Sequence, residues 1–210
     1  IVAAALDTGI VQPDTEIFCE NGAWHVGSAG RIVRDAGSHA FGDLTVSEIV
    51  VHSSNIGMGK LGRMMGVDKL YDAVMAFGLA APTGIALPGE VGGLVLPREK
   101  WNKIHSVISV AFGQEIAVTP IAVARAYAAL ANDGELLQPR IVSRIQDWDA
   151  EGGPRAIYTA PDRTVVGRAV SEASADAVMQ MMHETVERGT GRNAQLDNYT
   201  VAGKTGTAQM

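Results

Sequence analysis

This sequence of 210 residues is poor in cysteine, in long apolar runs and in basic residues, and each scarcity excludes a kind of structure or partner. Cys19 is the single cysteine, so an internal disulfide is impossible. No apolar run approaches the roughly 18 residues that a membrane-spanning helix needs. Lysine and arginine number 17 against 23 acidic residues. The resulting net charge of −6 argues against nucleic acid as a partner, because phosphate binding needs a basic surface. A hydrophobic content of 47% with 19% charged residues indicates a globular chain.

The two ends of the sequence indicate a partial domain. The first residue is Ile1 rather than methionine, and residues 1–6 are typical of the tail of a helix that Gly9 closes. Residues 200–204 are typical of a strand leading into the last residues. We therefore expect residues 1–210 to form one domain that is truncated at both ends, with any targeting segment upstream.

Helix starts are marked by capping residues. Thr45 with Glu48 three positions later has the spacing of a capping box. Thr119 before Pro120 places a capping hydroxyl ahead of a proline at the first helical position. Ser171 precedes apolar residues at helical spacing that continue to about Arg188.

The rest of the sequence predicts further helices, loops and short strands. Glycines at positions 57, 59 and 62 predict a helix packed closely on a neighbour, and a further helix is predicted at about 68–76. Residues 12–42 should be irregular with at most short strands. Residues 139–170 should form strands and loops, with a turn at Gly152-Gly153-Pro154.

The segment Lys204-Thr205-Gly206-Thr207 carries chemistry that suits a carboxylate ligand. A strand edge could present the ammonium of Lys204 and the hydroxyls of Thr205 and Thr207 to such a group, while Gly206 leaves room for close approach of substrate to the backbone. Taken alone the tetrapeptide is weak evidence, because a solvated turn is an equally good interpretation.

Ser53-Ser54-Asn55 interrupts a helical stretch, since these residue types prefer turns and caps. It precedes the lysine segment in the order expected of serine acyl-transfer enzymes, with Lys204 lying 149 positions after Asn55. The third signature of those enzymes, Ser-x-x-K, is absent from the 210 residues. His52, beside Ser53, could be mistaken for a triad base but is interpreted as helix surface or a supporting residue. Cys19 could be a nucleophile, but a small packed hydrophobe is the more common role.

Nothing in the sequence predicts a metal or cofactor. The histidines show no pairing at i and i+4, and His183-Glu184 lacks the second histidine of a zinc-binding H-E-x-x-H segment because Glu187 stands there. We expect no metal ligand and no cofactor.

Further segments give the chain a resemblance to a known family. They are Thr83-Gly84-Ile85 with Leu87-Pro88-Gly89-Glu90, Ala111-Phe112-Gly113-Gln114 with Val118-Thr119-Pro120, and Gly189-Thr190-Gly191 before Gly203-Lys204. Together with the two motifs above, they resemble the transpeptidase domain of class B penicillin-binding proteins along almost the whole chain. The resemblance implies an α+β fold of the penicillin-binding-protein and β-lactamase type. The chain would then hold mainly the helical subdomain plus the strand that bears Lys204.

The resemblance also implies a mechanism. A serine upstream of Ile1 would attack the carbonyl of a D-Ala-D-Ala stem peptide, Ser53 would relay a proton, and Asn55 would bind the substrate amide. Lys204, Thr205 and Thr207 would hold the terminal carboxylate, with Gly206 beside it. This implies a peptidoglycan D,D-transpeptidase that β-lactam antibiotics acylate. We expect these 210 residues alone to be inactive and marginally folded.

The resemblance further implies a periplasmic or extracytoplasmic location, with an anchor in the bacterial inner membrane outside this chain. Its implied partners are peptidoglycan stem peptides, a membrane glycosyltransferase and proteins of the divisome or elongasome. Two alternatives stay open at this point. One is a hydrolase, such as a D,D-carboxypeptidase or β-lactamase, and the other is a non-enzymatic β-lactam sensor or scaffold.

Overall fold

The structure is a computed structural model that describes residues 1–27, 30–149 and 152–206. Six helices are present in these residues: α1 (Val2–Asp7), α2 (Val46–His52), α3 (Asn55–Ala76), α4 (His105–Ala111), α5 (Pro120–Leu130) and α6 (Glu172–Arg188). Eight short strands lie between them: β1 (Glu16–Phe18), β2 (Ala23–Val26), β3 (Arg31–Arg34), β4 (Asp43–Thr45), β5 (Glu135–Leu137), β6 (Arg144–Trp148), β7 (Pro154–Thr159) and β8 (Val165–Arg168).

The strands form four separate antiparallel pairs, β1 with β4, β2 with β3, β5 with β8, and β6 with β7. The expectation of short strands in residues 12–42 is therefore confirmed, as is the strand-and-loop character of residues 139–170. The β6–β7 hairpin is exposed along both strands and lies outside the core, which combines helix residues with buried residues of β1, β2, β3 and β4.

The predicted helix starts are confirmed at atomic detail. The Glu48 N–H donates to Thr45 Oγ1 at 3.1 Å, and the Thr45 N–H donates to the Glu48 carboxylate at 2.9 Å, which completes the capping box. Thr119 and Ser171 cap α5 and α6 in the same manner through one hydroxyl each. Each cap satisfies backbone N–H groups that the first helical turn leaves without partners.

Helix α3 contains a break at Gly66, which adopts φ 71° and ψ 178° inside the helix. The combination of a positive φ with a ψ near 180° is readily adopted by glycine alone. The break separates the glycine-rich first part from the second part, in agreement with the two helical stretches predicted on either side of residue 66.

The core is built where α3 packs on α4 and where α1 and α2 pack on α6. Its large fully buried side chains include Ile49, Ile56, Leu61, Leu70, Ile108 and Met181. The glycines of α3 make the first of these contacts possible. A Cβ added at Gly62 would clash with the backbone oxygen of Val107 and lie 2.6 Å from the Cβ of Ala111.

Gly62→Ala is therefore expected to lower the free energy of unfolding by about 1–3 kcal/mol, the usual cost of overpacking a filled core. The measurement is thermal unfolding of the protein followed by circular dichroism. Gly167→Ala is the matched control, because a Cβ at that position would meet open space. A Gly62→Ala variant as stable as the control would contradict the predicted close packing.

Residues 201–206 differ from the expected strand. None of them pairs in a ladder with another described residue, so the segment has no regular secondary structure. Its backbone is held by a helix instead, since the Gly203 N–H donates to the Met182 carbonyl of α6 at 3.1 Å. A β-strand needs backbone hydrogen bonds to a neighbouring strand, and a local sequence pattern does not show whether such a neighbour is present. Among the described residues, no helix combines the length and hydrophobicity needed to cross a membrane.

Candidate active site

The turn between α2 and α3 gives its three residues three different surroundings. Ser53 ends α2 in the left-handed conformation, with φ 58° and ψ 44°. Ser54 is fully buried and caps α3 by accepting a hydrogen bond from the Gly57 N–H at 3.0 Å. Asn55 begins α3 and is half-buried. The left-handed residue reverses the chain so abruptly that Ser53 and Ser54 point in different directions.

Helix α6 holds the opposite side of the site. At its end, the Thr190 N–H donates to the Val51 carbonyl of α2 at 3.2 Å. Gly189 permits this approach, because a Cβ there would lie 2.8 Å from Val51 Cγ1. About two turns earlier, the Met182 carbonyl accepts from the Gly203 N–H, as described above. The same helix therefore fixes both the α2 end that carries Ser53 and the segment that carries Lys204.

The two predicted motifs meet at a single hydrogen bond. Lys204 Nζ donates to Ser53 Oγ at 2.6 Å and to the Thr205 carbonyl at 3.1 Å. Burial lowers the pKa of the Lys204 ammonium below its usual value, because a partly desolvated charge is disfavoured. In the described residues desolvation is the cause.

The hydroxyls beside Lys204 form a second contact across the site. Thr205 Oγ1 and Thr190 Oγ1 lie 2.8 Å apart, close enough for one to donate to the other. Thr205 and Gly206 are exposed. Thr207, the last residue of the predicted carboxylate-binding set, lies outside the described residues. Thr190 was noted in the sequence only as part of a family segment, without a role.

Asn55 is oriented by the strand that precedes the turn. Its side-chain Nδ2 donates to the Arg34 carbonyl at the end of β3, at 3.0 Å. That bond directs the amide oxygen of Asn55 away from β3, and no hydrogen bond to it occurs within the described ranges. The oxygen is therefore available to accept from an ammonium or a peptide N–H.

Asp35, which follows Arg34, was not among the residues predicted for the site. Its Oδ1 accepts from Ser54 Oγ at 2.9 Å and from the Ile56 N–H at 3.1 Å. Asp35 is buried, and its other oxygen has no hydrogen-bond partner among residues that the structure describes. The only local signal was an acidic residue directly after the end of β3, which is too common to identify a role.

His52 and Cys19, which the sequence did not assign to the site, have other contacts in the structure. The His52 ring stacks on Phe41 with 5.3 Å between ring centroids, which agrees with a supporting position on the helix. Cys19 is fully buried, and burial raises the pKa of its thiol, as expected of a packed side chain. In the part of the chain that the structure describes, no three His, Cys, Asp or Glu side chains cluster as metal ligands.

Residues 83–90 form a loop that is stabilised by its own hydrogen bonds, and they take no part in the Ser53–Lys204 hydrogen bond. The Glu90 carboxylate accepts from the Thr83 N–H at 2.6 Å and from the Gly84 N–H at 3.0 Å. Arg125 donates to the Thr83 carbonyl at 3.2 Å and to the Gly78 carbonyl at 2.8 Å. A separate concavity of about 620 Å³ lies between α5 and the β6–β7 hairpin, and the predicted site residues are not among its lining.

The fold and the paired motifs are those of one family, and comparison with known proteins agrees. The family described as penicillin binding protein transpeptidase domain matches residues 1–210. The chain belongs to this family.

Individual relatives place it among the class B proteins. The chain is 35% identical to penicillin-binding protein PbpB of Mycobacterium tuberculosis, over 99% of the chain and 30% of that protein. It is 31% identical to peptidoglycan D,D-transpeptidase MrdA of Haemophilus influenzae, over 100% of the chain and 33% of that protein. It therefore spans about a third of the length of these relatives.

A solved structure gives the same result for the fold. The crystal structure of penicillin binding protein 3 from M. tuberculosis, complexed with aztreonam, superposes with a TM-score of 0.85 and 32% identity. The match covers 100% of this chain and 46% of that one. The predicted α+β fold of penicillin-binding-protein type is therefore confirmed.

Proposed function

We propose that this chain is part of a peptidoglycan D,D-transpeptidase, and that the Ser53–Lys204 pair forms one wall of its active site. The hydrogen bond of 2.6 Å between Lys204 Nζ and Ser53 Oγ carries this proposal. It joins two motifs from distant parts of the sequence, and chance motif matches would not be expected to converge on one contact. The names of the relatives, a D,D-transpeptidase among them, support the same reaction class.

The first half of the reaction forms an ester. The Oγ of a Ser-x-x-K serine, which these 210 residues do not contain, attacks the carbonyl carbon of the penultimate D-Ala. Its proton passes to the lysine of that motif, and the C–N bond to the terminal D-Ala breaks. Ser53, which accepts a hydrogen bond from Lys204 Nζ, donates its O–H proton to the departing amine and is reprotonated by the lysine of the Ser-x-x-K motif, which returns to its neutral form.

The remaining site residues bind the donor peptide. The ammonium of Lys204 and the hydroxyl of Thr205 suit the terminal carboxylate, with Thr207 completing the set and Gly206 leaving room for substrate. The free oxygen of Asn55 suits a substrate N–H or the ammonium of the Ser-x-x-K lysine. In the second half of the reaction, the amine of another stem peptide attacks the ester and releases the serine. A β-lactam stops at the ester.

The whole protein would act outside the cytoplasm, anchored in the inner membrane by a segment that is not in this chain. The relatives' names support a role in cell-wall synthesis. A membrane glycosyltransferase and proteins of the divisome or elongasome are the partners that follow from such a role. We further propose that residues 1–210 are a truncated part of the domain and are inactive by themselves.

The test is acylation of the full-length protein by a fluorescent penicillin, with the labelled peptide identified by mass spectrometry. We expect one label, on the serine of a Ser-x-x-K segment, and none on residues 1–210. Release of label by a D-amino acid acceptor would support transfer, whereas release by water alone would favour a hydrolase. An unlabelled full-length protein would contradict the proposal and favour a non-enzymatic scaffold.

Thr205→Val is expected to weaken the noncovalent binding of penicillin about tenfold, because a hydrogen bond to a charged group is worth about 1.5–3 kcal/mol. The subsequent acylation rate constant should change less, since the hydroxyl binds substrate and transition state alike. The measurement is the dependence of labelling rate on penicillin concentration. Thr200→Val is the control, an exposed threonine in the same region. Equal binding by both variants would remove Thr205 from the carboxylate site.

A further inference from the structure

We propose that Asp35 is a positioning residue that sets the direction of Ser53 by holding the turn behind it; the inference rests on the function proposed above. The Asp35 carboxylate binds the two groups that follow Ser53 in the turn, the Ser54 hydroxyl and the Ile56 N–H. In the described residues it accepts no hydrogen bond from Lys204 or Ser53. Its effect on the reaction would therefore pass through the backbone of the turn.

The strand that precedes Asp35 is held in place by side-chain hydrogen bonds. Strand β3 is anchored to α4 by Arg31, which donates to Ser109 Oγ at 2.8 Å and to the His105 carbonyl at 3.1 Å. The next carbonyl along the strand end, that of Arg34, holds the Asn55 side chain. Two successive residues thus hold two successive residues of the turn, Asp35 holding Ser54 and Arg34 holding Asn55. Ser53 is left to project toward Lys204.

A purely structural explanation of Asp35 is weak. Ser54 already caps the Gly57 N–H of α3 with its own hydroxyl, so Asp35 adds a partner only for the Ile56 N–H at this helix start. Burial of a carboxylate with one oxygen unpartnered within the described residues is costly to stability. Residues that reduce stability in this way cluster where geometry serves function. Here the geometry in question is that of Ser53, a non-glycine residue in the left-handed region.

The experiment measures acylation of the full-length protein by penicillin and separates the noncovalent dissociation constant from the acylation rate constant. Asp35→Ala is expected to lower the rate constant about 100-fold with little change in the dissociation constant, because a displacement of about 1 Å at a reacting group has this effect. Asp35→Asn keeps an oxygen that can accept both hydrogen bonds, and should recover at least about tenfold of that loss.

Two further variants keep the result interpretable. Thr119→Ala removes the cap of the remote helix α5 and should lower the melting temperature while leaving the acylation rate constant unchanged. Ser54→Ala removes one of the two donors to Asp35. It should lower the rate constant by about tenfold, which keeps the test available if Asp35→Ala does not fold.

The possible outcomes are distinct. A wild-type protein that takes no label overturns the proposed function, and this inference with it. A labelled wild type with unchanged rate constants in Asp35→Ala and Ser54→Ala overturns the positioning role alone. The same follows if Thr119→Ala loses acylation in proportion to its melting temperature, because a loss of stability would then explain every variant.

Discussion

Lys204→Met is expected to lower the rate of penicillin acylation of the full-length protein by about 1,000-fold, because it removes both the ammonium proposed to bind the carboxylate and the donor that orients the Ser53 hydroxyl for proton transfer. The variant loses the donor to Ser53 Oγ and the charge beside the Thr205 hydroxyl, while the length of the side chain is kept. The measurement is the second-order rate constant of labelling. Lys103→Met, at an exposed lysine, is the matched control. Wild-type labelling by Lys204→Met would exclude this lysine from the site.

The same variant should be no less stable than the wild type at neutral pH. Burial lowers the pKa of Lys204 in the folded protein, so the unfolded chain binds more protons between the lowered value and the ordinary lysine value. Stability contributed by this group therefore rises with pH across that window. Lys204→Met should flatten that rise, which unfolding experiments at a series of alkaline pH values would measure. A steeper rise in the variant would contradict the assigned direction.

Ser53→Ala and Ser53→Gly are expected to lower acylation about equally, by about 100-fold, since both remove the hydroxyl that is proposed to serve the leaving amine. Their stabilities should differ. A left-handed residue other than glycine costs about 1 kcal/mol, so Ser53→Gly should be the more stable of the two by roughly that amount. The measurements are penicillin labelling and thermal unfolding on the same preparations.

Asp133→Gly controls for the added backbone freedom, because Asp133 is also left-handed, with φ 54°, and is exposed. It should gain stability without a change in labelling. Retention of full labelling by Ser53→Gly would show that the hydroxyl is dispensable, and the proposed proton path would then be wrong. Equal stabilities for Ser53→Gly and Ser53→Ala would contradict the strain assigned to this turn.

Much of the local structure was predictable because its determinants are local. The capping box of Thr45 and Glu48, and the cap at Thr119 before Pro120, each act within a few residues and appear as predicted. Ser53 and Lys204 were proposed as site residues because their motifs carry a family resemblance, and the structure brings the two side chains into contact. Their contact, however, depends on α6, which joins segments far apart in the sequence.

Asp35 shows where sequence reasoning stops. Its partners, Ser54 and Ile56, lie about twenty positions away and on another element, so no spacing rule reports them. The segment before Lys204 failed as a predicted strand for a related reason. Its apolar pattern permits an extended chain, but pairing depends on a partner that a local pattern does not name.

The position of α6 between the two halves of the site has a consequence for genetics. Met181, Met182 and Val186 are buried on this helix, and no substrate contact is proposed for them. Substitutions that loosen their packing would shift the Val51 and Gly203 anchors together. Temperature-sensitive alleles, which function at low growth temperature and fail at higher temperature, should therefore be found along this buried face. Null alleles should be found at Ser53 and Lys204, whose hydroxyl and ammonium groups form the proposed site.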